Sequence, residues 1–307
     1  MKSNKIYIIA AVCLLLGLLI FTGGFIMAGF NFKNISTASP YRENSYIPAS
    51  VINDIKIDDS NTGVEVVLSF DDKIHIKYFE NEDDYYEITE NNGILYMKKI
   101  YNRKWYKNII NVNFQKSDVI LQVPSNYLGN IKVQTSNAAI EVKDIICSDL
   151  ILTSSNARIE TENINITNGN FKTSNGSISI KNVNIDGDID CQTSNARIET
   201  DDLKGKNIEM TTSNGRISLE KTSFSGKISA FTSNGAISFK DLNVGTGFVC
   251  KTSNGSVKGN ILGKITDFDI TSRTSNGKNS LPESMKAGNK ILDVTTSNGR
   301  IDIEFRE

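Results

Sequence analysis

The stretch MTTSNGRISLE, at residues 210–220, contains the tetrapeptide Thr-Ser-Asn-Gly, and close variants of it recur through the rest of the chain. Aligned on the asparagine, nine copies follow one another at steps of 19, 19, 20, 19, 20, 20, 22 and 22 residues. A nearly constant period of this length predicts a solenoid, in which each repeat forms one coil. The repeated asparagines are Asn137, Asn156, Asn175, Asn195, Asn214, Asn234, Asn254, Asn276 and Asn298.

The residues around each asparagine alternate between apolar and polar. The positions six and four before it and three after it are mostly apolar, whereas the position four after it is mostly Glu or Ser. This alternation predicts strands with one buried face. Each repeat is therefore predicted to contain a strand, a sharp corner at Thr-Ser-Asn, a second strand, a variable corner and a short third segment.

Two all-β architectures fit this pattern. In an antiparallel meander, each Asn-Gly would form a hairpin turn. In a β-solenoid (β-helix), equivalent residues of successive coils stack about 4.8 Å apart in parallel ladders. A meander does not require the same residues in successive hairpins, so the identity between repeats favours a β-solenoid with coils of about 20 residues.

Strand alternation also predicts where the corner residues point. Because the positions six and four before the asparagine are inward, the Thr and Asn of each triplet are expected to face inward and the Ser outward. Inward asparagines would hydrogen-bond one another along the stack as a structural ladder. Asn and the Gly after it both tolerate positive φ, which suits a corner.

The first 30 residues predict a membrane segment. Residues 1–5 form a short basic tip, and residues 6–30 contain no charged side chain. A helix of this length exceeds the roughly 30 Å hydrocarbon core of a membrane. Lys2 and Lys5 precede the helix, so the positive-inside rule predicts a cytoplasmic N-terminus and a single-pass protein with an extracytoplasmic body. The alternative is a cleaved signal peptide, whose apolar region is normally shorter.

The remaining chain divides into three predicted regions. Residues 31–50 are polar and contain two prolines, which indicates a linker. Residues 51–130 alternate without the Thr-Ser-Asn register and are expected to form irregular coils that cap the solenoid, because an open end would be an unpaired edge. Residues 131–307 form the regular part. Within it, Cys191 and Cys250 occupy one column three coils apart, too far for a disulfide, and are expected to be buried.

Three segments together resemble a known family. They are IKIDDSNTGVEVVLSFDDKIHIKY, DVILQVPSNYLGNIKVQTSNAAIEVKDI and the later TSNG repeats. The chain resembles the bacterial putative-adhesin family, a domain of unknown function with β-strand repeats, over about residues 51–305. The resemblance implies a membrane-anchored β-helical surface domain and no established activity.

Charged and aromatic residues on the outside are the candidate contacts. An outward column contains Arg158, Arg197 and Arg216, and a basic run contains Trp105 and Tyr106. The net charge of −1 does not favour nucleic acid. With one histidine and no paired acids in most coils, neither catalytic residues nor a metal or other cofactor is predicted.

These features favour a non-catalytic, adhesin-like surface or envelope binding module. Its partner besides the membrane would be a cell-wall or host surface polymer, or a membrane protein. One alternative is an envelope-stress regulatory or sensory component acting through a membrane partner. Others are a polysaccharide-acting β-helix enzyme and a purely structural spacer.

Overall fold

A computed structural model of the chain describes residues 2–27, 29–30, 40–102 and 118–307. The described residues are mostly in β-strands, and they divide into two compact units. The first unit comprises Met1–Arg42, Glu80–Tyr85 and Ile100–Lys116, and the second comprises Glu43–Phe79, Tyr86–Lys99 and Ser117–Glu307.

The first unit contains the only helix of three turns or more in the described ranges, α1 (Lys2–Met27). Its segment Lys5–Met27 has 23 residues and a mean hydropathy of 2.6, and almost all of its side chains are exposed. At 1.5 Å per residue this segment is about 34 Å long, enough to cross a membrane. It is one candidate transmembrane helix. The helix begins before the predicted residue 6 and ends at Met27, ahead of Gly29 and Phe30, whose φ angles of 64° and 59° are incompatible with its continuation.

The strands follow one another along the rest of the described chain. They are β1 (Arg42–Tyr46), β2 (Asp54–Asp58), β3 (Val64–Leu68), β4 (His75–Glu80), β5 (Asp84–Asn91), β6 (Ile94–Tyr101), β7 (Val119–Val123), β8 (Asn130–Gln134), β9 (Ile140–Lys143), β10 (Ile146–Thr153), β11 (Ile159–Lys172), β12 (Ile178–Ile185), β13 (Asp188–Gln192), β14 (Ile198–Gly205), β15 (Asn207–Thr212), β16 (Ile217–Glu220), β17 (Ser223–Phe224), β18 (Lys227–Thr232), β19 (Ile237–Val244), β20 (Gly247–Lys251), β21 (Val257–Leu262), β22 (Phe268–Thr274), β23 (Ser284–Lys286), β24 (Lys290–Thr296) and β25 (Ile301–Arg306). A 3-10 turn at Ile265–Asp267 precedes β22.

The second unit is a β-solenoid of about eight turns with a spacing near 20 residues. Equivalent positions of successive coils pair in parallel: Ile178 lies beside Ile159, and Ile198 lies beside Ile178. The strands before and after Thr-Ser-Asn form two ladders, and the short third segments form another. These pairings confirm the predicted solenoid and exclude the meander, whose strands would be antiparallel.

The inward columns form one continuous core. In eight of the nine repeats the residue three after the asparagine, such as Ile159 or Ile217, has at most 1% of its surface exposed. The exception is Asn279, which is half-buried. Cys191 and Cys250 are fully buried, and Met210 and Ala230 stand between them in the same column. They are therefore three coils apart, as predicted, and act as small apolar side chains.

The stacking order departs from the chain order at both ends of the solenoid. Strand β2 lies between β6 and β8, and β3 lies between β7 and β9. At the other end, β24 lies between β20 and β22, so the last coil of the sequence is inserted beneath the one before it. The expectation that successive coils stack in chain order is wrong for the last two coils, those of Asn276 and Asn298. Their longer steps of 22 residues supply the extra connection, and antiparallel β23 covers the edge of β22.

Part of the predicted linker belongs to the second unit. Strand β1 begins at Arg42, and Glu90 then holds the residues that follow it. The Tyr46 hydroxyl donates to Glu90 Oε1 at 2.6 Å, and the backbone N–H groups of Ala49 and Ser50 each donate to this carboxylate at 3.0 Å. Residues 46–50 are therefore tied to the body rather than extended away from it.

Candidate functional site: the corners and the arginine face

At most Thr-Ser-Asn corners the threonine is buried and connects two coils. Thr212 has 2% of its surface exposed. Its Oγ1 accepts the Gly215 N–H at 3.1 Å and donates to the Ala196 carbonyl of the preceding coil at 3.1 Å. Thr232, at the next corner, makes the same two bonds with its own coil and the coil before it. The hydroxyl thus satisfies a donor and an acceptor that the corner leaves without strand partners.

The asparagines form a ladder on the outside of the solenoid. Each Nδ2 donates to the Oδ1 of its neighbour at 2.7–2.8 Å, and Asn61 is an additional first member. The ladder runs on through Asn254 to Asn298 and ends at Asn276, because the last coil is inserted. All of these residues, Asn61 included, are exposed, so the expectation that the asparagines face inward is wrong. Strand alternation stops at the threonine, where the extended backbone bends.

The glycine after the asparagine is required by close packing, not by its φ. No Thr-Ser-Asn-Gly corner in the described chain has positive φ. A Cβ built on Gly215 would lie 1.6 Å from the carbonyl oxygen of Ala196. The close approach of successive backbones therefore explains the preference for Gly and the absence of any residue larger than Ala at this position.

A second kind of corner, which strand alternation did not predict, does use positive φ. The residue seven after the asparagine has a φ of 47° to 58° in six coils. Asn163 Nδ2 donates to Asp144 Oδ1 at 3.0 Å, and Asn182 Nδ2 donates to Asn163 Oδ1 at 2.8 Å. Five of the six residues are Asn or Asp, which tolerate the left-handed region, and Lys221 is the exception. The six residues are Asp144, Asn163, Asn182, Asp202, Lys221 and Asp241.

The third corner carries a row in which Asp and Asn alternate. Asn168 Nδ2 donates to Asp149 Oδ1 at 2.9 Å, and Asn207 Nδ2 donates to Asp188 Oδ1 at 2.8 Å. These four residues border a groove of about 620 Å³ on the sheet that precedes the Thr-Ser-Asn corners. Each carboxylate is therefore already engaged by a neighbouring amide.

The outward arginines differ in what they contact. Arg158 is bound to Glu141 at 2.7 Å and to Glu160 at 3.1 Å, and Arg197 is bound to Glu199 at 3.0 Å. Burial alone would raise the pKa of Glu141, but hydrogen bonds from Arg158 and Lys143 outweigh it and lower that pKa below its ordinary value. These arginines therefore brace the sheet.

Arg216 has no carboxylate within ion-pair distance in the described ranges. The position two residues after it is Ser218, where the other two arginines have a glutamate. Its guanidinium is exposed. Of the three predicted contact arginines, it alone presents an uncompensated cation in this part of the chain. Trp105 and Tyr106 lie outside the described residues.

The comparison with protein families decides the relationship. The model of the family described as Toastrack DUF4097 matches residues 52–304. The chain belongs to the Toastrack DUF4097 family.

This Toastrack DUF4097 chain is also similar to solved structures. A putative adhesin from Bacteroides fragilis NCTC 9343 shares 12% identity at a TM-score of 0.42, covering 87% of this chain and 98% of that one. A putative adhesin from Parabacteroides distasonis ATCC 8503 shares 14% identity at a TM-score of 0.44, covering 87% of this chain and 98% of that one. A third putative adhesin, from Parabacteroides merdae ATCC 43184, shares 12% identity at a TM-score of 0.40, covering 87% of this chain and 97% of that one. The comparison with curated proteins gives no match.

The thiols of the Toastrack DUF4097 body are poorly suited to chemistry. Burial raises the pKa of Cys147 to about 12, and it also raises the pKa values of Cys191 and Cys250. Thiolate is the reactive form of cysteine, so these three side chains are inert at neutral pH. Across residues 2–27, 29–30, 40–102 and 118–307, no group of three or more His, Cys, Asp or Glu side chains could hold a metal ion.

Proposed function

We propose that this Toastrack DUF4097 protein is a single-pass, membrane-anchored and exported binding module that holds an anionic envelope or surface polymer without transforming it. The observation that carries the proposal is a stack of regular coils, in one chain with an apolar helix long enough to span a membrane. Such a stack repeats its outward positions about every 4.8 Å, which suits a partner that is itself a repeating polymer.

The flanking charges support the orientation. Lys2 and Lys5 precede the apolar segment, and the next basic residue is Lys33. Positive residues accumulate on the cytoplasmic side of a membrane helix, so the body would be extracytoplasmic.

Arg216 is the contact residue that we propose for the polymer. An exposed guanidinium without a carboxylate partner among the described residues is free to make bidentate hydrogen bonds to a phosphate or carboxylate. Arg158 and Arg197 would have to exchange an existing ion pair for the ligand, so their share of the binding free energy would be smaller. Trp105 and Tyr106 remain predicted contacts.

Cosedimentation with purified cell-wall fragments tests this function. The full chain, in detergent micelles or nanodiscs, should bind fragments that retain their anionic polymers more tightly than fragments stripped of them. Arg216→Ala should weaken binding about tenfold, the value of one charge-assisted interaction. Arg197→Ala, which removes an arginine that is ion-paired with Glu199, is the matched control and should weaken binding less. Release of soluble sugars from the fragments would contradict the non-catalytic assignment. Equal binding of stripped fragments, or recovery of only a membrane protein after cross-linking in cells, would contradict the polymer partner.

A further inference from the structure

Six of the ladder asparagines precede a glycine. An asparagine followed by glycine is the one most prone to deamidation, in which the side chain loses ammonia. Because glycine has no side chain, its backbone nitrogen can reach the side-chain amide carbon, Cγ, of the preceding asparagine without steric hindrance. The reaction requires that nitrogen to turn toward the side chain of the asparagine. The six asparagines are Asn175, Asn214, Asn234, Asn254, Asn276 and Asn298.

Inside the ladder, the two reacting groups are held apart. The Gly215 N–H points inward to Thr212 Oγ1 at 3.1 Å, and both residues are buried. The Asn214 amide is outside, where it donates to Asn195 and accepts from Asn234. The coil on each side also holds the corner backbone: Ser213 O accepts the N–H groups of Ser233 and Asn234. The attack therefore requires local opening of a corner that is fixed from both sides.

At Asn276 the Gly277 N–H also donates to Thr274 Oγ1, at 3.0 Å, but this corner has a stacked corner on one side only. The Asn276 Nδ2 donates to Asn298 Oδ1 at 2.7 Å, but no donor in the described part of the chain reaches its own Oδ1. Thr274 is half-buried, whereas the threonine at each of the five inner Asn–Gly corners is buried. The insertion of the last coil makes this corner the end of the ladder. In chain order, the end would instead have been Asn298.

We infer that Asn276–Gly277 is a site of spontaneous deamidation and that the five inner Asn–Gly pairs are protected. The Gly277 nitrogen attacks Asn276 Cγ and forms a five-membered succinimide. The Cγ–Nδ2 bond breaks, and ammonia leaves with the proton from the glycine N–H. Water then opens the ring at either carbonyl and gives aspartate or isoaspartate. The product places a negative charge at the end of the ladder and removes the donor to Asn298.

Peptide mapping by mass spectrometry tests this inference. The full chain in detergent is held in mildly alkaline buffer, and conversion at each of the six Asn–Gly pairs of the ladder is followed over time. The native protein should convert Asn276 about tenfold faster than any inner asparagine, because a corner stacked on one side opens more often than one held from both sides. In denaturant the six rates should come together. Equal rates in the native protein, or a native Asn298 faster than Asn276, would overturn the inference.

Two variants test the source of the protection. Thr212→Ala frees the Gly215 N–H, so conversion at Asn214 should rise above that at Asn254. Ser213→Ala is the matched control and should leave the rate unchanged, because the Ser213 side chain is exposed and its backbone bonds persist. If Thr212→Ala loosened the whole stack, the inner sites would accelerate together, which the map distinguishes. A rate at Asn214 unaffected by Thr212→Ala would contradict the mechanism.

Discussion

Replacing Thr212 by Val tests the hydroxyl that joins two coils. Valine has nearly the shape of threonine, so the change removes two hydrogen bonds without opening a cavity. It leaves the buried Gly215 N–H and the Ala196 carbonyl without the partner that each has at 3.1 Å. Stranding a buried polar group costs about 1–3 kcal/mol, so we expect a loss of about 2–4 kcal/mol in the free energy of unfolding.

Thermal unfolding followed by circular dichroism measures this cost on the full chain in detergent. For a body of this size the loss corresponds to roughly 4–10 °C in melting temperature. Thr212→Ser is the internal control, because it keeps the hydroxyl and loses one methyl, at about 0.8 kcal/mol. The chain itself uses a serine, Ser154, at the equivalent place. The explanation of the corner would be refuted if the valine variant had the melting temperature of the wild type. It would also be refuted if Ser213→Ala lowered the melting temperature as much as Thr212→Val.

Three further predictions concern other residues. Asn214→Ala should cost about 1 kcal/mol or less in urea unfolding, because its partners stay exposed to water; a cost above that of the valine variant would place the amide in the core. The Ser50 and Tyr46 hydroxyls lower the pKa of Glu90 from its ordinary 4.5 to about 2, so its stabilisation is present above pH 4.5 and is lost as the pH falls toward 2. Glu90→Gln should flatten the melting temperature over that window, and an unchanged pH dependence would contradict the role of the carboxylate. Cys191 and Cys250 should resist a thiol reagent until the protein unfolds, and rapid labelling of the native chain would contradict their burial.

The sequence was sufficient for the architecture because each coil repeats the same requirements. A buried column at fixed offsets is satisfied by stacking equivalent residues, and this predicts the parallel ladders. The buried threonines follow from the same alternation. The outward asparagines do not, because alternation describes extended backbone and the chain bends directly after Thr212.

The order of the last two coils could not be derived in this way. Coils that share one pattern fit on one another in either order, so the Asn298 coil stacks on Asn254 as well as the Asn276 coil would have done. Only the steps of 22 residues distinguished this region. The special position of Arg216 was visible in sequence, as Arg-Ile-Ser in place of Arg-Ile-Glu. Its meaning depended on knowing that arginine and glutamate at this spacing form an ion pair, as Arg197 and Glu199 do.

Engineered disulfides test the stacking of the coils most directly. Val249 lies beside Asp293 in the structure, whereas stacking in chain order would place it beside Thr271. Neighbouring strands are about 4.8 Å apart, within disulfide reach, and residues two coils apart are about 9.6 Å apart, beyond it. In the full chain carrying Cys13→Ser, the pair Val249→Cys with Asp293→Cys should therefore oxidise readily, and Val249→Cys with Thr271→Cys should stay reduced. Cross-linking of the second pair and not the first would contradict the inserted last coil.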